Sequence, residues 1–343
     1  MTRLEVDGSF RPPPWLRNGH IQSILSSLSV RRRWLARSWT GVLASSRELV
    51  LDCGEGVRLQ AFHSARPPHE VLAPTRVAVL LHGWEGSADS LYVLSLAQEL
   101  YARGFEVVRL NLRDHGETHH LNRELFHSCR LAEVIGAVRD LQRRFRGRAL
   151  HLAGFSLGGN FMLRVAAHAG LAGLDLARVV AISPVLEPAA TLRALEQGLA
   201  TYHSYFVRKW MSSLMKKQAA WPQHYDFAQL RKLADLRRMT SELVRQFTEF
   251  ESLEEYLSGY AITGARLAQL AVPSTIITAL DDPIIPAADL ERLAQSPALR
   301  VITTRHGGHC GFLQRLRSAT WAERRAAAEL DQPVSPGSAS PRN

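Results

Sequence analysis

Three short stretches carry side chains able to do chemistry together: Gly154-Phe155-Ser156-Leu157-Gly158, Asp281-Asp282 in "LDDPIIP", and His306 and His309 in "RHGGHCGF". A serine hydroxyl is a weak nucleophile at neutral pH. It needs an imidazole to take its proton, and the imidazole needs a carboxylate to hold its tautomer. G-x-S-x-G is the spacing that puts a serine on a sharp strand-to-helix turn, with the N–H of the next residue, Leu157, aimed at a developing oxyanion. The order Ser, Asp, His along the chain is the order expected for such an elbow. A second oxyanion donor should follow an earlier strand, and "VAVLLHGWEGS" offers the N–H of Trp84. His82, in the same run, precedes the serine and reads as a turn-shaping residue rather than the base.

These residues need a scaffold, and the hydrophobic pattern supplies one. Arg47 to Asp52 and Val57 to His63 alternate around "CGEG" as a β-hairpin. "VAVLL" (77–81) is a short apolar strand buried on both faces. A helix over 91–103, a strand over 106–112, a helix over 131–145, a strand over 149–154, a helix over 159–168 and a strand over 178–183 continue the rhythm. It resumes with a strand over 274–280, a helix near 287–294, a strand over 300–304 and a last helix from 312 to 330. Strands joined by helices imply an α/β fold with a mostly parallel central sheet covered on both faces. Residues 187–272, helical in pattern with no convincing strand, are too many for a crossover and predict a helical cap over the C-terminal edge of the sheet. The expected organisation is an N-terminal extension (1–46), a first core part (47–186), the cap (187–272), a second core part (273–330) and a disordered Pro/Ser-rich tail (331–343).

Composition excludes several classes. The chain has 343 residues, 46% of them hydrophobic, enough for a large core. Its apolar runs are far short of the roughly 20 residues that span a bilayer, and the N-terminus lacks the apolar core of a secretory signal, so a cytoplasmic location is expected. Cys53, Cys129 and Cys310 are scattered and without a C-x-x-C pair, which argues against a disulfide framework or a zinc site. The net charge of +10 suggests nucleic acid, but only four of the 42 basic residues are lysines, and the clusters are local; no nucleic-acid partner is expected. One cluster, "YFVRKWMSSLMKK" (205–217), sets Phe206, Trp210, Leu214 and Met215 beside Arg208, Lys209, Lys216 and Lys217. It reads either as a lipid-facing helix or as an amphipathic helix packed on the protein with its charges in water.

Taken together, "GFSLGGN", "LLHGWEGS", "NLRDHGETHHLNRELFHS", "LDDPIIP", "GGHCGF" and "PPPWLRNGHIQSIL" resemble the YheT-like α/β-hydrolases, over about Arg11 to Arg317. The resemblance implies an α/β-hydrolase fold with a cap and a Ser-Asp-His esterase without cofactor, acting on small-molecule or lipid esters. Asp282, before Pro283, is in register with the family's aspartate, and His309 fits its G-G-H-x-G-F pattern. Ser156, Asp282 and His309 are thus the expected triad, Trp84 and Leu157 the expected oxyanion donors, Asp281 a solvated carboxylate at a strand end and His306 a structural neighbour of the site. The rival readings are a non-catalytic lipid-binding module and an acyltransferase. His115, His119, His120, Glu124 and His127 lack the spacing of a hydrolytic metal site, and no metal is expected. Asn18 and His20 in "RNGH" have no role derivable from the sequence.

Overall fold

A computed structural model of the chain describes residues 3–67, 76–233 and 235–333. The tail expected to be disordered lies almost wholly outside them, as does most of the connection before "VAVLL". Nine strands form one sheet: β1 (Arg3–Val6), β2 (Ser46–Asp52), β3 (Arg58–Ser64), β4 (Val77–Leu81), β5 (Glu106–Leu110), β6 (Leu150–Phe155), β7 (Leu176–Ile182), β8 (Ser274–Ala279) and β9 (Leu299–Thr304). Their order is β1-β9-β8-β7-β6-β4-β5-β3-β2. The hairpin β2–β3 is antiparallel, as is its junction with β5; every other pairing is parallel.

The helices are α1 (Gly19–Ser26), α2 (Ser29–Leu35), α3 (Thr40–Ala44), α4 (Leu91–Ala102), α5 (Leu131–Arg144), α6 (Leu157–Ala167), α7 (Ala169–Ala172), α8 (Pro188–Gln197), α9 (Ala200–Ala220), α10 (Leu236–Phe247), α11 (Leu253–Gly259) and α12 (Trp321–Leu330). Alternation in β4 shows how they share the sheet. Val77, Val79 and Leu81 face a core built with α5 and α6, while Ala78 and Leu80 face one built with α4 and α12. Both faces are therefore buried, which is what a short, wholly apolar strand requires.

Two expectations need correction. The last helix begins at Trp321 rather than at Phe312. Phe312 has φ 46°, outside the helical region, and the N–H of Leu313 donates to Gln22 Oε1 at 2.6 Å, so this stretch is tied to α1. A capping box of Thr320 and Glu323 then starts α12 where the pattern alone gave no boundary. The helix expected near 287–294 is a short 3-10 helix, Ala287–Arg292, not an α-helix. The sequence reading also did not anticipate β1, an edge strand that pairs with β9 across nearly the whole chain.

Helices α8 to α11 lie between β7 and β8. Two aromatics of α9 turn inward: Phe206 stacks on Trp84 at 5.2 Å and Trp210 meets it edge-on at 5.1 Å, so the helix sits on the loop at the C-terminal end of β4. Lys217 is fully buried. Its Nζ donates to Asp114 Oδ1 at 2.8 Å and to the carbonyls of Asn122 and Glu124 at 2.6 and 3.0 Å, clamping α9 to the loop after β5. The inner face of this stretch is thus packed on the protein, while Tyr205, Arg208, Lys209 and Lys216 on its outer face are exposed and one cation, Lys217, is not in water.

Candidate active site

Ser156 sits between β6 and α6 with φ 52° and ψ −118°, a backbone region that costs a non-glycine residue about 1–3 kcal/mol. The flanking glycines explain how the turn fits. A Cβ on Gly154 would lie 2.3 Å from the Gly158 carbonyl oxygen, and one on Gly158 would lie 2.3 Å from that of His82. Glycine is therefore dictated at both positions by close backbone approach. The Ser156 N–H donates to the Ile182 carbonyl at 2.9 Å, fixing the turn to the neighbouring strand.

The structure brings Ser156, His309 and Asp282 together. His309 Nε2 lies 3.0 Å from Ser156 Oγ, and His309 Nδ1 lies 2.9 Å from Asp282 Oδ2. The other oxygen of Asp282 accepts the N–H groups of Ile284 and Ile285 at 2.8 and 2.9 Å. Burial opposes charge on the His309 imidazole, but the Asp282 carboxylate and Cys310 together outweigh it and hold the ring well above the usual histidine range. Asp281 and His306 form a looser pair on the same two loops, 3.7 Å apart and partly exposed, and among the described residues the side-chain partner of Ser156 Oγ is His309, not His306. Asp281 Oδ1 instead accepts the N–H of Gly308 at 2.8 Å, linking the loop after β8 to the loop after β9.

Trp84 and Leu157 flank the serine. Leu157 is the first residue of α6, where a backbone N–H has no acceptor within the helix. Among the described residues no hydrogen bond is made by the Trp84 N–H, and a Cβ on its neighbour Gly83 would lie 3.2 Å from Ser156 Cβ. His82 is fully buried: Nδ1 donates to the Gly83 carbonyl at 2.7 Å and Nε2 accepts the Leu112 N–H at 3.2 Å. Burial pulls its pKa down to about 4, so it is a neutral strut of this turn.

The structure also gives "RNGH" a role that the sequence did not reveal. The Asn18 side chain caps α1 by accepting the N–H groups of His20 and Ile21. Gly19 lies so close to the acid loop that a Cβ there would be 2.1 Å from the Asp281 carbonyl oxygen, and a Cβ on Gly308 would be 2.1 Å from that of Gly19. Ser23 Oγ accepts the backbone N–H of His309 at 2.8 Å, and Gln22 binds both backbone groups of Leu313. The first turns of α1 are thus the seat on which both loops rest. An asparagine followed by glycine ahead of an apolar helix was the visible signal, and its partners lie far off in the chain.

A cavity of about 700 Å³ opens on Ser156 and His309. Its walls are mostly apolar and include Leu192, Leu195 and Leu236 from α8 to α10, Leu243 and Val244, and Phe126 from the loop after β5. That loop is held by Arg113, whose Nε and Nη2 reach the buried Glu133 at 3.0 and 2.7 Å. The histidines that tempted a metal reading diverge. His119 Nε2 meets Ser213 Oγ at 2.9 Å, His127 faces Glu249 at 3.6 Å, and His115 packs on His82. No group of three or more His, Cys, Asp or Glu among the described residues is placed to hold a metal. Glu85 is a wall residue that sequence reasoning passed over. Burial pushes its carboxyl up to about 8 against the pull of Lys209, so it is largely protonated at neutral pH.

Comparison with known proteins bears on the fold. Residues 77–316 match the family model of the alpha/beta hydrolase fold. YheT of Escherichia coli, which carries an esterase name, is 27% identical over 328 residues, covering 92% of this chain and 91% of its own. The phospholipase ABHD3 of Mus musculus is 23% identical, over 79% of this chain and 67% of its own. Among solved structures, the Pyrococcus furiosus esterase Pf2001 superposes with a TM-score of 0.55 at 13% identity, over 84% of this chain and 93% of its own. With a central sheet, an elbow and a family match that runs from β4 past His309, the chain belongs to the α/β-hydrolase fold family.

Proposed function

We propose that the protein is a carboxylic ester hydrolase that works through an acyl-enzyme on Ser156. The observation that carries this reading is the chain of contacts Ser156 Oγ, His309, Asp282, at 3.0 and 2.9 Å. Ser156 Oγ attacks the ester carbonyl carbon as His309 Nε2 takes its proton. The N–H groups of Trp84 and Leu157 hold the oxyanion, and collapse of the tetrahedral species expels the alcohol, which receives the proton from His309. Water then repeats the cycle: His309 deprotonates it, hydroxide attacks the acyl carbon, and Ser156 leaves with the proton restored. Asp282 stays ionised and stabilises the imidazolium. The esterase and phospholipase names of the relatives favour the same chemistry.

The apolar cavity supports esters with a sizeable hydrocarbon part as substrates. In this reading α8 to α11 are the cap that shapes the acyl site. Wild-type protein is expected to react with a fluorophosphonate probe and to hydrolyse p-nitrophenyl esters, with a preference for chains longer than acetate. Ser156→Ala should lose labelling and about a millionfold in rate. Equal labelling of both proteins would overturn the assignment. Product analysis with added alcohols separates hydrolysis from acyl transfer.

A further inference from the structure

The outer surface beside the cavity mouth carries apolar side chains that the hydrolase reading leaves unused. In α1 and the residues after it, Ile21, Ile24 and Leu28 are 39%, 40% and 38% exposed, and Val30, at the start of α2, is 38% exposed. Across the mouth, Leu199 and Tyr205 at the start of α9 are 43% and 41% exposed. The two lips touch: His20 Nδ1 lies 3.2 Å from the Tyr202 hydroxyl, and the rings stack. Ile24, Leu28 and Tyr205 also line the cavity that reaches Ser156, so this apolar rim is continuous with the route to the nucleophile.

Charge says what covers such a rim. From Gly8 to Ser46 the chain has six arginines and no Asp or Glu, and α9 has four cations and no acid. Some of these charges serve the fold. Arg31 donates to the carbonyls of Ser26, Leu316 and Ser318, and Lys217 is buried against Asp114. Arg17 and Arg33 are exposed, and they and Arg208 have no ion pair among the described residues. Apolar side chains set among unpaired cations match the interface of an anionic bilayer, where apolar groups enter the acyl boundary and cations sit among the headgroups. A second copy of this chain would bring the same cations against themselves.

We propose that the rim formed by α1, the start of α2 and the start of α9 docks on an anionic lipid surface and takes up lipid ester from it. The proposal deepens the hydrolase reading and rests on it only for the fate of the ester, since docking itself needs no chemistry. Among the described residues no helix is long and apolar enough to cross a membrane, so the contact is one of surface binding.

The test is flotation of the full chain with vesicles of phosphatidylcholine mixed with phosphatidylglycerol, and with phosphatidylcholine alone. Wild type should float with the mixed vesicles, and floating should weaken with salt. Val30→Glu with Arg33→Glu should lower binding on the order of tenfold or more. Leu199→Glu, on the opposite lip, should lower it independently. Both variants should keep wild-type melting behaviour and wild-type hydrolysis of soluble p-nitrophenyl acetate, yet lose hydrolysis of a fluorogenic lipid ester held in the mixed vesicles. Ser156→Ala should float as wild type does, so failure of the hydrolase reading leaves flotation intact. Wild type that stays with the soluble fraction, or variants that float equally well, would overturn the proposal. So would a dimer that the variants split without any change in flotation, for then a second copy covers the face.

Discussion

The turn at Ser156 and the loops that carry Asp282 and His309 meet at one point but are built by opposite means. The turn is local: two glycines four residues apart and one bond to the next strand fix the serine. The loops are braced from a distance, by Gly19, Gln22 and Ser23 in a helix nearly the whole chain away. In the proposed mechanism the nucleophile is therefore a property of the sheet, whereas the alignment of its base is a property of the N-terminal segment. A change in that segment can spoil catalysis without touching Ser156.

The sharpest break of this comparison lies within the base loop itself. His309→Ala is expected to lose about a millionfold in ester hydrolysis, close to Ser156→Ala, while His306→Ala stays within a small factor of wild type. Similar losses for both would mean that the Asp281–His306 pair shares the chemistry. Asp282→Asn keeps the shape of the acid but not the tautomer it enforces, and kcat should fall about ten-thousandfold. Gly19→Ala tests the remote brace. Its new Cβ must displace the Asp281 carbonyl, and a displacement on the order of an ångström costs about a hundredfold in kcat. Fluorophosphonate labelling of that variant should be slowed but still be lost with Ser156→Ala, and an unchanged kcat would show that the loops stand without α1.

The smallest effect is in pH dependence. In the proposed mechanism the base works unprotonated, and its surroundings, Asp282 foremost among the groups that raise it, hold His309 above the usual 6.5 against the opposing effect of burial. Activity should therefore rise with pH through a midpoint above 6.5 and be lost below it as the imidazole protonates. The residual activity of Asp282→Asn, which lacks the charge that raises the pKa, should show that midpoint moved to lower pH.

Much of this was readable in the sequence because the signals are short. "VAVLL" is a strand from composition alone, and G-x-S-x-G encodes its own geometry, since each glycine is required by a contact within the motif or with the adjoining strand. What could not be read depends on partners remote in the chain. Lys217 looked like one of four solvated cations, and only its contact with Asp114, on a loop after β5, makes it a buried clamp. "RNGH" appeared idle because its work is done against residues 281 and 308. The start of α12 was misplaced because Leu313 is held by Gln22, a long-range contact that helical periodicity cannot register.

The seat that α1 provides has a consequence in time as well as space. Its hydrogen bonds to His309 and Leu313 close loops of 286 and 291 residues, among the most non-local contacts in the chain. Such contacts form late, because the entropy of bringing the ends together must be overcome first. During synthesis α1 emerges long before its partners, and its seat is vacant until the last strand leaves the ribosome. The turn at Ser156, which needs only β7 beside it, can fold well over a hundred residues earlier, but in the proposed mechanism the enzyme becomes competent only when its two ends meet.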